Sequence, residues 1–195
     1  MLQAEIYYTN TTPLGSTVTQ IYEDLRKNEK QTKSSKNLEN NGYLDLWRYI
    51  EIMIKILFLC HGNICRSPMG EFILKDMVQK LGREDDFEIA SRAVSREEIG
   101  NPVYPPARKE MKKHGVKCDG HAARQISMAD YRRFDRIYYM DQSNARYLSR
   151  MLPEDPDKIR PLLDHDVADP WYTGDFTATW NDIVEGCEKI LEEFA

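Results

Sequence analysis

The chain has 195 residues, is 41% hydrophobic and 30% charged, and carries a net charge of −5. That length holds one ordinary domain and an appendage, the composition suits a globular fold, and the acidic balance argues against a wholesale nucleic-acid binder. The longest apolar run is broken by Lys55 and too short to cross a bilayer, MLQAEIYY lacks a secretory pattern, and four cysteines do not make a disulfide scaffold, so a cytoplasmic location without membrane contact is expected.

Residues 16–27 fit a short amphipathic helix with Val18, Ile21, Tyr22 and Leu25 on one side. Residues 28–41 are almost wholly polar and read as a linker, and 42–52 turn apolar again. Residues 1–52 therefore read as an N-terminal extension of unknown role, and 53–195 as the main domain. Ile54–Leu59 is a continuous apolar run, suited to a strand buried on both faces. A helix is expected over 67–81, with Pro68 at its first position and Gly82 ending it. Further strands are expected at Phe87–Val94, Phe134–Met140 and Ile159–Leu163, and further helices at 105–114, at 143–151 and from an Asp175 cap to Phe194. This alternation predicts an α/β fold with a parallel sheet and helices on both faces.

Between the first strand and first helix runs Cys60-His61-Gly62-Asn63-Ile64-Cys65-Arg66-Ser67-Pro68. Ligands bind beyond the carboxyl ends of strands in such sheets. Backbone N–H groups of this loop can converge on one anion, helped by the free N–H groups of the following helix. Gly62 permits close approach to a ligand or a positive φ. The spacing from Cys60 to Arg66 suffices to curl around a tetrahedral oxyanion, and the guanidinium can grip two of its oxygens. In that setting Cys60 is a candidate nucleophilic thiolate. Ser67 is placed to donate to its sulfur.

Cleaving a phosphate ester also needs a proton for the leaving oxygen. The segment Val167-Ala168-Asp169-Pro170-Trp171-Tyr172-Thr173-Gly174 offers Asp169, with Trp171 and Tyr172 able to wall a slot for an aryl ring. Taken alone it also reads as an Asp-Pro turn with inward aromatics.

CHGNICRSP and ADPWYTG resemble the phosphate and acid loops of the low-molecular-weight protein-tyrosine phosphatases, and SRAVSREEIGNP, HGVKCDGHAARQI and FDRIYYMDQSN resemble further segments of that family. The likeness spans about 54–194. It implies a four-stranded parallel sheet flanked by helices, a flavodoxin-like three-layer arrangement. It also implies metal-free, cofactor-free hydrolysis of phosphotyrosine in a phosphorylated protein through a phosphocysteine. On it, Cys60 matches the nucleophile, Arg66 the phosphate clamp and Asp169 the acid; His61 to Ser67 form the phosphate-binding loop. Asn63 matches the residue that holds the loop's shape, with Ser91 and His121 tied to it, although His121 alone reads as an ordinary turn histidine. Cys65 matches a second cysteine that bonds to the nucleophile on oxidation. Ile64 stands where a protein-arginine phosphatase branch carries Thr, which suits an aromatic ring. Glu97 falls at a pocket-wall position that is often aromatic, beside Trp171 and Tyr172.

Arsenate reductase on the same fold needs two further nearby cysteines, and Cys118 stands alone in its region. A phosphate-binding module without activity is suggested by loss of Cys60 or Asp169, and both are present. Cys60 and Cys65 lack a second ligand pair with zinc spacing. His114 reads as a helix C-terminal charge, His61 and His165 show no evident partner, and Lys112-Lys113 reads as solvated surface.

Overall fold

The computed structural model describes residues 53–195; the elements expected at 16–27, 28–41 and 42–52 lie outside the described residues. Strands β1 (Ile54–Cys60), β2 (Phe87–Ala93), β3 (Arg136–Tyr139) and β4 (Ile159–Pro161) form one parallel sheet in the order β2–β1–β3–β4. Helices α1 (Arg66–Lys80), α2 (Pro105–Lys113), α3 (Met128–Arg133), α4 (Gln142–Leu148), α5 (Pro170–Thr173) and α6 (Phe176–Glu193) connect or follow them. Among the described residues no helix is long and apolar enough to cross a membrane.

The apolar run of β1 follows from its central place. It pairs on both edges and is covered on both faces, so Ile56 to Cys60 are all buried. Successive strand side chains point to opposite faces. Phe58 meets α1, where a Cβ on Gly70 would come within 2.7 Å of the ring. Leu57 and Leu59 pack on the other face with Phe134, Ile137 and Leu148. On the α1 face, Cys187 of α6 reaches the Gly70 carbonyl at 3.8 Å. Asp175 caps α6, its Oδ1 accepting from Ala178 N at 2.9 Å.

Several boundaries differ from expectation. Helix α1 begins at Arg66, so Pro68 is its third residue; the first helical N–H groups have no intrahelical partner, and Pro loses nothing there. Strand β3 is shorter than 134–140 because Phe134 closes α3 and enters the core. Helix α3 was not expected: none of its residues is buried, so it shows no apolar stripe, and a Ser127/Asp130 capping box starts it. Helix α4 is capped by Asp141 and stops at Leu148, short of Met151. Strand β4 ends at Pro161, although Leu162 N still donates to Tyr139 O at 2.9 Å.

Candidate active site

The carboxyl ends of β1 and β3 place the reactive groups. Strand β1 ends on Cys60 itself and α1 starts on Arg66, so residues 61–65 make the whole loop. Cys60 Sγ accepts from Asn63 N at 3.3 Å and lies 3.0 Å from Ser67 Oγ, with both residues buried.

Asn63, rather than Gly62, takes the left-handed backbone, with φ 59°. Asn tolerates that region, at a cost of about 1 kcal/mol. Its buried side chain offsets the cost: Nδ2 donates to Ser67 Oγ (2.9 Å) and Ser91 Oγ (2.8 Å), and Oδ1 accepts from Arg124 N (3.1 Å). His121 Nε2 donates to the Asn63 carbonyl at 2.7 Å, so this histidine is more than a turn residue. Gly62 serves close approach instead, since a Cβ there would lie 3.0 Å from Glu98 Cγ. Ile64 is buried and clusters with Cys65, Ala123, Tyr104 and Phe176.

Arg66 is 2% exposed. Its Nη1 donates to Asp141 Oδ2 (2.5 Å) and the Val167 carbonyl (3.1 Å), and its Nη2 donates to Asp169 Oδ2 (2.5 Å). Burial opposes its charge, but the Cys60 sulfur, Asp169 and the hydrogen bond to Asp141 outweigh burial and hold its pKa above the ordinary value. Cys65 is pushed the other way. Burial first, then the charges of Cys60 and Asp169, raise its thiol far above the ordinary range, against the pull of Arg66.

Asp169 reaches this loop by capping α5, its Oδ1 accepting from Trp171 N at 3.0 Å. The expected Asp-Pro turn is thus a short helix, with Pro170 at its first position and Gly174 closing it at φ 70°. Trp171 and Tyr172 do not pack inward; they are 55% and 85% exposed. Trp171 leans on Tyr104, ring centroids 5.2 Å apart.

A cleft of about 420 Å³ opens over Arg66, lined also by His61, Asp141, Arg146, Asp169 and Tyr172. His61 does have partners: its Nε2 lies 3.0 Å from Glu97 Oε2, and its ring meets Tyr147 edge-on at 5.5 Å. Glu97 therefore stands beside a cleft residue as the hydrogen-bond partner of His61 rather than as a flat wall. His165 likewise sits 3.0 Å from Asp164, and His114 stacks on Trp180 at 4.0 Å. Asp141 was missed by sequence reasoning. Its local signal was an Asp two residues past β3, in position to cap a helix, and its Oδ1 accepts from Asn144 N at 2.7 Å. Among the described residues no group of three or more His, Cys, Asp or Glu could hold a metal ion.

The family described as "Low molecular weight phosphotyrosine protein phosphatase" matches residues 55–195. The chain is 39% identical over 147 residues to "Low molecular weight protein-tyrosine-phosphatase YfkJ" of Bacillus subtilis, covering 71% of this chain and 94% of that protein. The low molecular weight protein tyrosine phosphatase SP-PTP of Streptococcus pyogenes superposes with a TM-score of 0.68 at 37% identity, over 73% of this chain and 94% of that one. DARP, a Drosophila arginine phosphatase, superposes at 0.64 with 32% identity, over 72% and 98%. The chain belongs to the low molecular weight phosphotyrosine protein phosphatases, a family of cysteine-based hydrolases.

Proposed function

We propose that this protein hydrolyses phosphotyrosine in phosphorylated proteins, and small aryl phosphates, through a phosphocysteine on Cys60. The observation that carries the proposal is convergence: Arg66 and Asp169, 103 residues apart, pair in one cleft, and the buried Cys60 sulfur lies close enough to Arg66 to raise its pKa. The Cys60 thiolate attacks phosphorus in line with the phenolic oxygen, forming an S–P bond as the P–O bond breaks. Arg66 and the loop N–H groups hold the equatorial oxygens as charge develops on them. Asp169 gives its proton to the departing oxygen, then as carboxylate takes one from the water that attacks phosphorus. Inorganic phosphate leaves, and Ser67 donates to the returning thiolate. Asn63, Ser91 and His121 act as positioning residues through the loop's shape.

Ile64 supports phosphotyrosine over phosphoarginine as the main substrate, because an apolar side chain suits an aryl ring. The likeness to the Drosophila arginine phosphatase keeps phosphoarginine as the second reading. Parallel phosphate release from phosphotyrosine and phosphoarginine peptides tests this, with rapid acid quench to trap phosphocysteine. Wild type should prefer phosphotyrosine, and Cys60→Ser should be inert. Substantial turnover by Cys60→Ser removes the nucleophile assignment; preference for phosphoarginine reverses the substrate.

The four free, buried cysteines support a reducing setting such as the cytoplasm. Residues 53–195 are the catalytic unit on this reading. A chain starting at Met53 should keep kcat on a small aryl phosphate within about threefold; an insoluble product would show that part of 1–52 covers the core.

A further inference from the structure

Beside the phosphate loop lies a second groove, of about 350 Å³. Its floor is Pro102, Val103 and Pro105, and Arg108, Lys109 and Lys112 stand around it. Val103 is buried, whereas the three basic residues are exposed. Arg108 has a loose exposed pair with Asp119 at 3.9 Å. Lys113, next in sequence, is taken up by Glu110. Among the described residues Lys109 and Lys112 have no carboxylate partner.

The helix that bears this charge explains only Lys112, which lies in the last turn where the dipole favours a cation. Arg108 and Lys112 are four apart on α2, and Lys109 and Lys112 three apart, so like charges face each other on one side. The first turn carries no acid, and Arg108 closes that turn, where positive charge opposes the helix dipole. The patch also stands out on a chain of net charge −5.

Its position ties it to the active site. Residues 102–105 follow β2 at the same end of the sheet as Cys60. Tyr104, between two floor residues, donates its N–H to the Ile64 carbonyl of the phosphate loop at 2.9 Å. Its ring also meets Trp171 of the acid segment. A peptide leaving the cleft past Trp171 and Tyr104 therefore runs onto the groove within a few extended residues, at about 3.3 Å each.

We infer that the Pro102–Lys112 groove docks an acidic flank of the phosphorylated protein substrate. It takes a segment with two or more carboxylates and an intervening apolar side chain, roughly three to six residues from the phosphotyrosine and on one side of it. The carboxylates meet Lys109 and Lys112, and the apolar side chain lies on Pro102, Val103 and Pro105. The inference rests on the phosphotyrosine reading above and narrows its substrates.

The test compares wild type with K109E/K112E and K109Q/K112Q. Substrates are a small aryl phosphate and phosphotyrosine peptides whose single variable flank is acidic, neutral or basic. Wild type should turn over the acidic peptide with kcat/KM roughly five- to tenfold above the basic one, through KM, and the gap should shrink with salt. K109Q/K112Q should lose the preference and K109E/K112E should invert it, while all three keep the same rate on the aryl phosphate. Equal kcat/KM across the peptides in wild type overturns the inference, as does an acidic preference that survives K109E/K112E. A wild type inert on the aryl phosphate as well brings down the phosphatase reading, and the groove's role with it.

Discussion

Arg66 Nη2 donates to Asp169 Oδ2 at 2.5 Å, so the residues proposed as phosphate clamp and general acid form one ion pair. A substrate phosphate and the Asp169 carboxylate therefore compete for the same guanidinium edge. Asp141 holds the other nitrogen and keeps Arg66 in place while that exchange occurs.

Removing the charge of Asp169 should release that edge. Asp169→Asn is expected to bind inorganic phosphate more tightly than wild type, by roughly three- to tenfold, since the carboxylate is only partly buried. Competitive inhibition at neutral pH measures it. Equal inhibition constants for the two proteins would mean that the pair opens at no cost to binding.

Oxidation should follow the environment of Cys65. Peroxide converts the Cys60 thiolate to a sulfenic acid, and Cys65 must then attack that sulfur as a thiolate, expelling the oxygen as water. Burial raises the Cys65 thiol, so little thiolate exists at neutral pH and its fraction grows about tenfold per pH unit. Reversible inactivation through a Cys60–Cys65 bond should thus close slowly at pH 6.5 and much faster at pH 8.5. Peptide mapping that pairs Cys60 with Cys118 or Cys187 would reject Cys65 as the partner.

The fold itself offers a sharp test at Gly186. A Cβ there would collide with Leu162 Cγ, a buried atom near the backbone that cannot swing away. Gly186→Ala should cost about 2 kcal/mol by overpacking, despite the better helix propensity of Ala. Thermal unfolding should show a Tm lower by roughly 5 °C. A raised Tm would mean that α6 and Leu162 shift apart without penalty.

What the sequence made legible was what lies contiguous in it. Cys60 to Pro68 announced itself because one strand end, one loop and one helix start carry all its donors. Asp169 was legible through its neighbours Pro170, Trp171 and Tyr172. Asp141 was not, because its meaning is a contact with Arg66 across 75 residues. The His61–Glu97 pair spans 36 residues and depends on how two loops close after Gly62 meets Glu98. The positive φ fell to Asn63 rather than Gly62 because side-chain hydrogen bonds from distant strands and loops hold it there, and no local preference encodes them. Helix α3 was hidden since nothing on it is buried, and periodicity reports only burial.

The proton-transfer role of Asp169 separates from its ion pair by changing the leaving group. In the first step of the proposed mechanism a protonated Asp169 delivers its proton to the phenolic oxygen as the P–O bond breaks. A poor leaving group needs that proton early, whereas the anion of a very acidic phenol departs without it. The amide of Asp169→Asn keeps the shape of the α5 cap, since its oxygen can still accept from Trp171 N. It also lacks the proton. The variant should therefore lose about 10²- to 10³-fold on phosphotyrosine and less than about tenfold on an aryl phosphate with a strongly acidic phenol. Steady-state kcat hides this contrast when hydrolysis of phosphocysteine limits turnover, because the same carboxylate activates water and every substrate then slows alike. The rate of the initial phenol burst isolates formation of phosphocysteine and is the quantity to compare. Tighter phosphate binding by the variant lowers turnover through product release, not through the burst, so the two effects stay apart. If the burst rate depends on leaving-group pKa no more steeply in Asp169→Asn than in wild type, the proton comes from another residue. Asp166 lines the same cleft and Asp164 is held beside His165, which makes Asp166 the first to substitute.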